Sequence, residues 1–443
     1  MQIDSYNGGQ KVCTGLDPDP GPCDPDLVSG QTVAPGVQYY DCSSTTTKVH
    51  IVTIDRSRPE YEMWILDDPT IRNPPSNVFN LQTVPDFAAS YNALAAVNGY
   101  VWSGDEGTGP GQTGIPQTTL YETGIHYTSN TSTCPGFPGS CPEVLMGFTP
   151  QSGNGLDVSR IPQDDLSAPA NQKYTYTLHG SNSTVMNSGG CTSDTTSNRW
   201  SVVGYSPTQI VLLSTATDVG LTHAEICPVL SAFGVEEAVR QDGSSAAGMF
   251  VGGSINEHVN PLVNLDYFVY GGPARHVAYA VGLVQLYPRQ VQNSGFEAPV
   301  LSPGEAWRRM TGASQETTLT GWNGPADLHS ATDLVARGQQ IIDLNQSGSG
   351  YVETTLATPA DTYCLLRFYH GVNHHCNQQA TFTVDIDGTS VASFTSTYDP
   401  NSLQEARVRF KTTGTAATLR FTSTTGGCGA ATIDDVSVAC TKQ

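Results

Sequence analysis

The residue best placed to do chemistry in this chain is Asp242, which is followed by Gly243, Ser244, Ser245, Ala246 and Ala247. A carboxylate backed by small residues lets a ligand come close to the backbone, and free amides in such a turn can face an anion. Asp-Gly alone also marks a hairpin turn, so its surroundings have to decide. Other groups compete for attention. Asp105-Glu106 offers a second carboxylate, but the stretch GDEGTGPGQTG reads better as a solvated acidic loop. His374-His375 with His370 could ligate a metal, yet beside Cys376 they read as a polar loop. Glu297 and the pair Asp434-Asp435 stand near the first and last strands of the C-terminal part. Oxygen ligands from both ends would suit a structural Ca²⁺ there, the alternative being unpaired surface acids. Catalysis itself calls for no cofactor.

Asp242 has to be positioned by Leu221–Gly253, LTHAEICPVLSAFGVEEAVRQDGSSAAGMFVGG. Thr222 followed by Glu225 is a capping box that starts a helix. Ile226, Val229, Leu230 and Phe233 continue it at helical spacing, and Gly234 supplies the left-handed residue that ends it. A strand over Glu237–Gln241 then delivers Asp242 at its end.

The whole chain is acidic: 443 residues carry a formal net charge of −21 with only 14% charged residues. Such a surface repels nucleic acid and anionic membranes, and no basic cluster offsets it. No run of about 18 apolar residues exists, so no transmembrane segment is expected. The length favours two domains. The 11 cysteines fall into a group of seven, up to Cys227, and a group of four, Cys364, Cys376, Cys428 and Cys440. None forms a CxxC pair, so disulfides in an oxidising compartment are the expectation, and with them a secreted or cell-surface protein. The odd cysteine of the first group is expected to be Cys227, on the helix. In the second group like pairs with like: Cys364–Cys440 in or beside strands, Cys376–Cys428 in loops. The first residues, MQIDSYNGG, lack a basic and apolar leader. Sequons stand at Asn130, Asn182 and Asn345.

Along the chain, residues 1–35 are rich in Gly, Pro and Asp and read as an irregular, disulfide-stapled lead-in. From Gly36 strands alternate with a few helices, one over Pro85–Leu94 feeding the apolar strand that contains Asn98-Gly99. Residues 103–170 read as a loop-heavy insertion. The region 36–288 is therefore expected to be an α+β domain. A break is read at Tyr287-Pro288-Arg289. Residues 293–443 show about eight alternating runs such as ATFTVDIDG and ATLRFTSTT, the pattern of an all-β jelly-roll sandwich.

Six stretches in fixed order resemble the phosphodiester glycosidase family: Gly36-Val37, VNGYVW, RWSVVG, GLTHAEICPVLSAFG, QDGSSAAG and ARHVAYAVGLV. The resemblance implies a hydrolase whose catalytic residues are Asn98, Arg199, Asp242 and Arg275, with Gly99, Gly243, Ser244 and Ser245 lining the substrate. Three positions depart from the family pattern. Ser244 replaces a glycine, Ala246 replaces a serine, and Arg240 stands where an asparagine is usual. Extra side chain at Ser244 would narrow a sugar or phosphate subsite. Residues from Asn293 onward, including NSGFEAP, GWNGPADL and ATIDDVSV, resemble a galactose-binding-like jelly roll of plant cell walls and bacterial surfaces. That resemblance implies carbohydrate binding without catalysis, with Trp307, Trp322 and Tyr369 as candidate sugar platforms, at least half of them expected to be core.

The function implied is cleavage of the glycosidic bond of a sugar-1-phosphodiester in a glycan or polysaccharide. The leaving phosphodiester is a stable anion, so one carboxylate can act as base or ion-pair partner while cations hold the phosphate. Arg199 and Arg275 suit that second role and Asn98 a sugar hydroxyl. Two other readings stand beside it: a phosphodiesterase cutting the P–O bond, and a non-catalytic glycan-binding adhesion protein with an altered turn.

Overall fold

The computed structural model of the protein describes residues 30–41, 49–67, 79–99, 102–104, 113–116, 121–122, 125–126, 143–151, 155–162, 176–181, 184–215, 220–243, 247–252, 276–310, 318–344, 350–373, 375, 379–425 and 430–441. Arg275, Ser244, Ser245, Asp105, Glu106, His374, Cys376 and Cys428 lie outside them, as do the first five cysteines. The chain forms two compact units, residues 1–285 and 286–443.

The first unit is built chiefly of strands. Its largest sheet has eight, in the order Gln31–Ala34, Val37–Asp41, Val49–Asp55, Gln209–Thr215, Trp200–Tyr205, Glu237–Gly243, Thr184–Asn187, Gly190–Cys191. Another group pairs Tyr61–Leu66, the start of Ala280–Arg289, Ala93–Asn98 and Met249–Val251. Among the described residues only two helices occur, Val84–Tyr91 and His223–Ala232. The α+β expectation is corrected accordingly: both helices foreseen are present, but strands carry the unit. Thr184–Asn187 lies in a stretch read as strand, whereas Gly190–Cys191 is a two-residue strand that periodicity does not reveal.

Local sequence explains both helices. Thr83 accepts the Asp86 amide at 3.2 Å and Pro85 sits in the first turn, where its missing N–H is harmless. Asn92, at φ 51°, ends that helix and turns the chain into Ala93–Asn98. In the second helix the Glu225 carboxylate accepts the Thr222 amide at 2.7 Å, and Gly234 takes φ 68°. The helix buries Ile226, Val229, Leu230 and Phe233 against Ile51, Val202, Leu213 and Ala238 of the sheet. Cys227 is not free: it is bonded to Cys191, so the helix is stapled to the hairpin edge beneath it. A helix position facing the sheet is where a cysteine can reach a strand.

The second unit is a sandwich of two antiparallel sheets. One orders Trp307–Met310, Ala326–Ser330, Gln340–Asp343, Ala431–Thr441, Tyr363–Val372 and Gln404–Lys411. The other orders Tyr351–Ala357, Ala416–Ser423, Gln379–Ile386 and Thr389–Thr397. Alternate residues of both supply one buried cluster. Phe368 of the first sheet meets Phe382, Phe394 and Phe421 of the second at ring separations of 5.9, 5.5 and 4.9 Å. A fully buried ring of this kind contributes about 1.5–3 kcal/mol. Cys364 and Cys440 stand directly opposite each other in register and are bonded, as their strand positions suggested. Tyr287-Pro288-Arg289, read as a break, is strand and pairs with Val438–Cys440.

Candidate functional site

Asp242 owes its placement to an irregularity in the strand Glu237–Gly243. Across the ladder Val202 faces Arg240 and Trp200 faces Gly243. Gln241 and Asp242 therefore share the single residue Ser201 as their opposite, which is a β-bulge. Bulges re-aim side chains, and this one turns the carboxylate out of simple alternation. The Asp242 amide donates to the Gly99 carbonyl at 3.1 Å, and its own carboxylate accepts the Gly243 amide at 2.8 Å.

Asn98 completes the corner, though not in the role expected of it. Its Nδ2 donates to the carbonyls of Asp242 (2.9 Å) and Gly99 (3.0 Å). Its Oδ1 accepts the Gly248 amide at 3.0 Å and the Ser201 hydroxyl. A carboxamide has two donors and room for two acceptor bonds. All four are used inside the protein, and the side chain is fully buried. Asn98 is thus a clamp that fixes the Asp242 backbone, with nothing left over for a sugar hydroxyl.

The two glycines are required by crowding. A Cβ on Gly99 would lie 2.2 Å from the Tyr279 ring, and one on Gly243 would lie 2.5 Å from the Arg199 carbonyl oxygen. Gly243 therefore lets the main chain of the half-buried Arg199 run against the same corner. The structure brings Asn98, Gly99, Asp242, Gly243 and the main chain of Arg199 together, while Arg275, Ser244 and Ser245 fall outside the described residues.

Arg240, at the position of the family's asparagine, faces away from this corner. It bonds Asp194 at 2.9 Å and lies 4.4 Å over the Trp200 ring. His223 joins the same cluster through Thr192 at 2.8 Å, and burial followed by the Arg240 charge holds its pKa below the usual value. Sequence reasoning missed Ser201, Gly248 and this cluster, because no spacing rule ties them to Asp242. It also missed Gln241, which is 1% exposed and has neither carboxamide atom hydrogen-bonded among the described residues.

In the sandwich, the three carboxylates foreseen as calcium ligands do not act as a set. Glu297 accepts the Gln339 amide at 2.7 Å, and Asp434 accepts the Arg337 amide at 2.7 Å. Both lie within 4 Å of where a Cβ on Gly295 would be, so they are neighbours. Asp435 instead turns to Arg337 at 3.2 Å and is exposed. Among the described residues no three His, Cys, Asp or Glu side chains are arranged to hold a metal ion. Burial pushes Asp434 up to about 6, with Asp435 and Glu297 adding repulsion.

The aromatic candidates separate cleanly. Trp322 is 1% exposed and Tyr369 is 7% exposed, so both belong to the packed interior, whereas Trp307 is 49% exposed. Trp307 stacks on His329 with an interplanar angle of 23°, and Arg309 lies 5.9 Å from its ring centre. Around it Arg309 pairs with Asp327 at 3.2 Å, and Asp333 bridges His329 (2.6 Å) and His375 (3.0 Å). His370 is not part of this group, since it lies in the core beside Phe382 and Phe394, and His374 lies outside the described residues.

His370 gives the sandwich a testable pH response. Burial lowers its pKa from 6.5 to about 4. Its contribution is therefore intact above pH 6.5 and is lost as pH falls toward 4. Asp434 works in the opposite sense, since its buried charge is relieved as pH falls through 6. Each is worth about 3 kcal/mol over its window, so the wild-type profile is expected to be shallow. Comparison with His370→Phe isolates the histidine: between pH 7 and pH 4 wild type should lose about 3 kcal/mol relative to the variant in denaturant unfolding of the sandwich. A difference that does not change with pH would contradict this.

Comparison with known proteins gives no matching family model and no matching curated relative. Solved structures do match. The catalytic domain of zebrafish N-acetylglucosamine-1-phosphodiester alpha-N-acetylglucosaminidase aligns at 16% identity and TM-score 0.39, covering 58% of this chain and 86% of that one. A family 35 carbohydrate binding module from Clostridium thermocellum aligns at 15% identity and TM-score 0.23, covering 30% of this chain and 98% of that one. A cyclase from Fischerella sp. TAU aligns at 15% identity and TM-score 0.28, covering 35% and 98%.

Proposed function

We propose that the first unit is a hydrolase that cleaves the glycosidic bond of a sugar-1-phosphodiester, and that the second unit holds it on a glycan. The observation that carries the first part is the bulge that presents Asp242, with its backbone clamped by Asn98 and the main chain of Arg199 packed against Gly243. A carboxylate fixed at such a corner can activate water or pair with developing positive charge at the anomeric carbon. The Arg199 guanidinium is our candidate for holding the departing phosphate. Asn98 moves from substrate contact to positioning, and Arg275, Ser244 and Ser245 remain in the proposal as phosphate and sugar contacts.

A screen of sugar-1-phosphodiesters with product analysis tests this reading. Free reducing sugar supports it. Sugar phosphate would mean cleavage of the P–O bond instead. No turnover on any diester would leave a glycan-binding protein.

The sandwich supports glycan binding through Trp307, an exposed ring with charged and imidazole groups around it that can bond sugar hydroxyls. Trp307→Ala should weaken retention on an insoluble polysaccharide by about tenfold, the scale of one aromatic anchor. Unchanged retention would rule out this platform. A calcium ion between Glu297 and Asp434 belongs to the same proposal as a structural element, since a cation there would relieve the repulsion between the two carboxylates. Among the described residues no helix is long and apolar enough to cross a membrane. The two disulfides among the described residues accord with the secretion we propose.

A further inference from the structure

The eight-stranded sheet of the first unit turns one face to the helix His223–Ala232 and buries the other as well. On that second face, strand alternation and register lay out rows that run across the strands. Val52, Leu212, Val203 and Val239 form one row, and it is wholly apolar. The next row is different in kind. His50 pairs with Ser214, Ser214 pairs with Ser201, and Ser201 lies opposite the bulge residues Gln241 and Asp242. His50, Ser214, Ser201 and Gln241 are all at most 2% exposed.

A buried polar row must find partners or carry a penalty. His50 has the Tyr39 hydroxyl at 2.8 Å, and Ser201 has Asn98. Among the described residues Ser214 Oγ and both polar atoms of Gln241 have none. Leucine in place of Gln241 would serve the fold better, so folding alone does not account for a carboxamide at this position. Its location does: a bulge points its two residues to the same side, which sets Gln241 next to Asp242.

We infer that Gln241 is a substrate-recognition residue of the Asp242 site, reading a sugar hydroxyl or acetamido group with its paired donor and acceptor. An uncharged carboxamide adds little for a phosphate, whereas it matches the mixed donor and acceptor edge of a sugar ring. The inference rests on the reading of Asp242 as the centre of a sugar-phosphate site.

The test uses the full chain and its Gln241→Leu variant. Binding of N-acetylglucosamine 1-phosphate, glucose 1-phosphate and inorganic phosphate is measured by calorimetry, together with thermal unfolding and turnover of the corresponding diesters. The variant should bind at least one of the two sugar phosphates about tenfold more weakly, bind inorganic phosphate as wild type does, and unfold at an equal or higher temperature. A lowered unfolding temperature with unchanged binding would make Gln241 structural. Unchanged binding, turnover and stability would mean that only buried water meets its amide; either result overturns the inference. If wild type binds a sugar phosphate but hydrolyses no diester, the hydrolase reading fails while the loss in Gln241→Leu still stands. If wild type binds neither sugar phosphate, both fall.

Discussion

Asp242→Asn is expected to cut turnover by about a thousandfold, within the range for loss of a general base, while leaving the unfolding midpoint nearly unchanged. The two effects separate because the bonds tying this corner to the rest of the unit use the Asp242 main chain. Its amide donates to Gly99 and its carbonyl accepts from Asn98, and asparagine keeps both. The carboxylate bond to the Gly243 amide also has a counterpart in the asparagine carbonyl oxygen. What asparagine removes is the negative charge and the ability to accept a proton. Steady-state kinetics on whichever sugar-1-phosphodiester wild type cleaves, paired with a thermal melt, decides the matter. Turnover equal to wild type would take Asp242 out of the mechanism. Loss of turnover together with a collapsed melt would show that the side chain supports the fold.

The second large effect lies in the sandwich. Replacing Cys364 and Cys440 together by alanine should lower its stability by about 4 kcal/mol, the loop-closure value for so wide a span. The two cysteines are 76 residues apart in sequence. Both are fully buried within the apolar cluster, so the substitution also thins the packing there. A domain typically has only about 5–15 kcal/mol in total, which makes this bridge a substantial share. Urea unfolding of wild type and the double variant, compared at one pH, measures it. A loss below about 1 kcal/mol would mean that the unfolded chain without the bridge retains structure that already confines it.

Much of this was legible in the chain because it depends on neighbours in sequence. Thr222 and Glu225 are three residues apart, Gly234 follows its helix directly, and the alternation in Gln379–Ile386 is local. The Cys364–Cys440 pairing could be argued because both positions fall on strands. The rest depends on which distant groups meet. Nothing in the order of residues says that the Asn98 carboxamide will be used up by Asp242, Gly99, Gly248 and Ser201. Pairing of Cys191 with Cys227 joins a two-residue strand to a helix, and that strand has no periodicity to announce it. Asp435 looked equivalent to Asp434, but consecutive residues on a strand face opposite ways, and one went to the interior while the other met Arg337. The bulge was hidden for the same reason: it changes the pairing of Arg240 to Gly243 without leaving a mark in the composition.

That bulge also sets how this region can drift over generations. Deleting one residue between Arg240 and Gly243 would restore an unbroken ladder with the strand Trp200–Tyr205, a change that favours pairing. The same deletion would remove Gln241 or Asp242 itself, leaving only one of the two side chains opposite Ser201. Selection for a more regular sheet and selection for the site therefore pull in opposite directions at this point. Lineages that keep the activity should keep the length of this segment even where they change its letters.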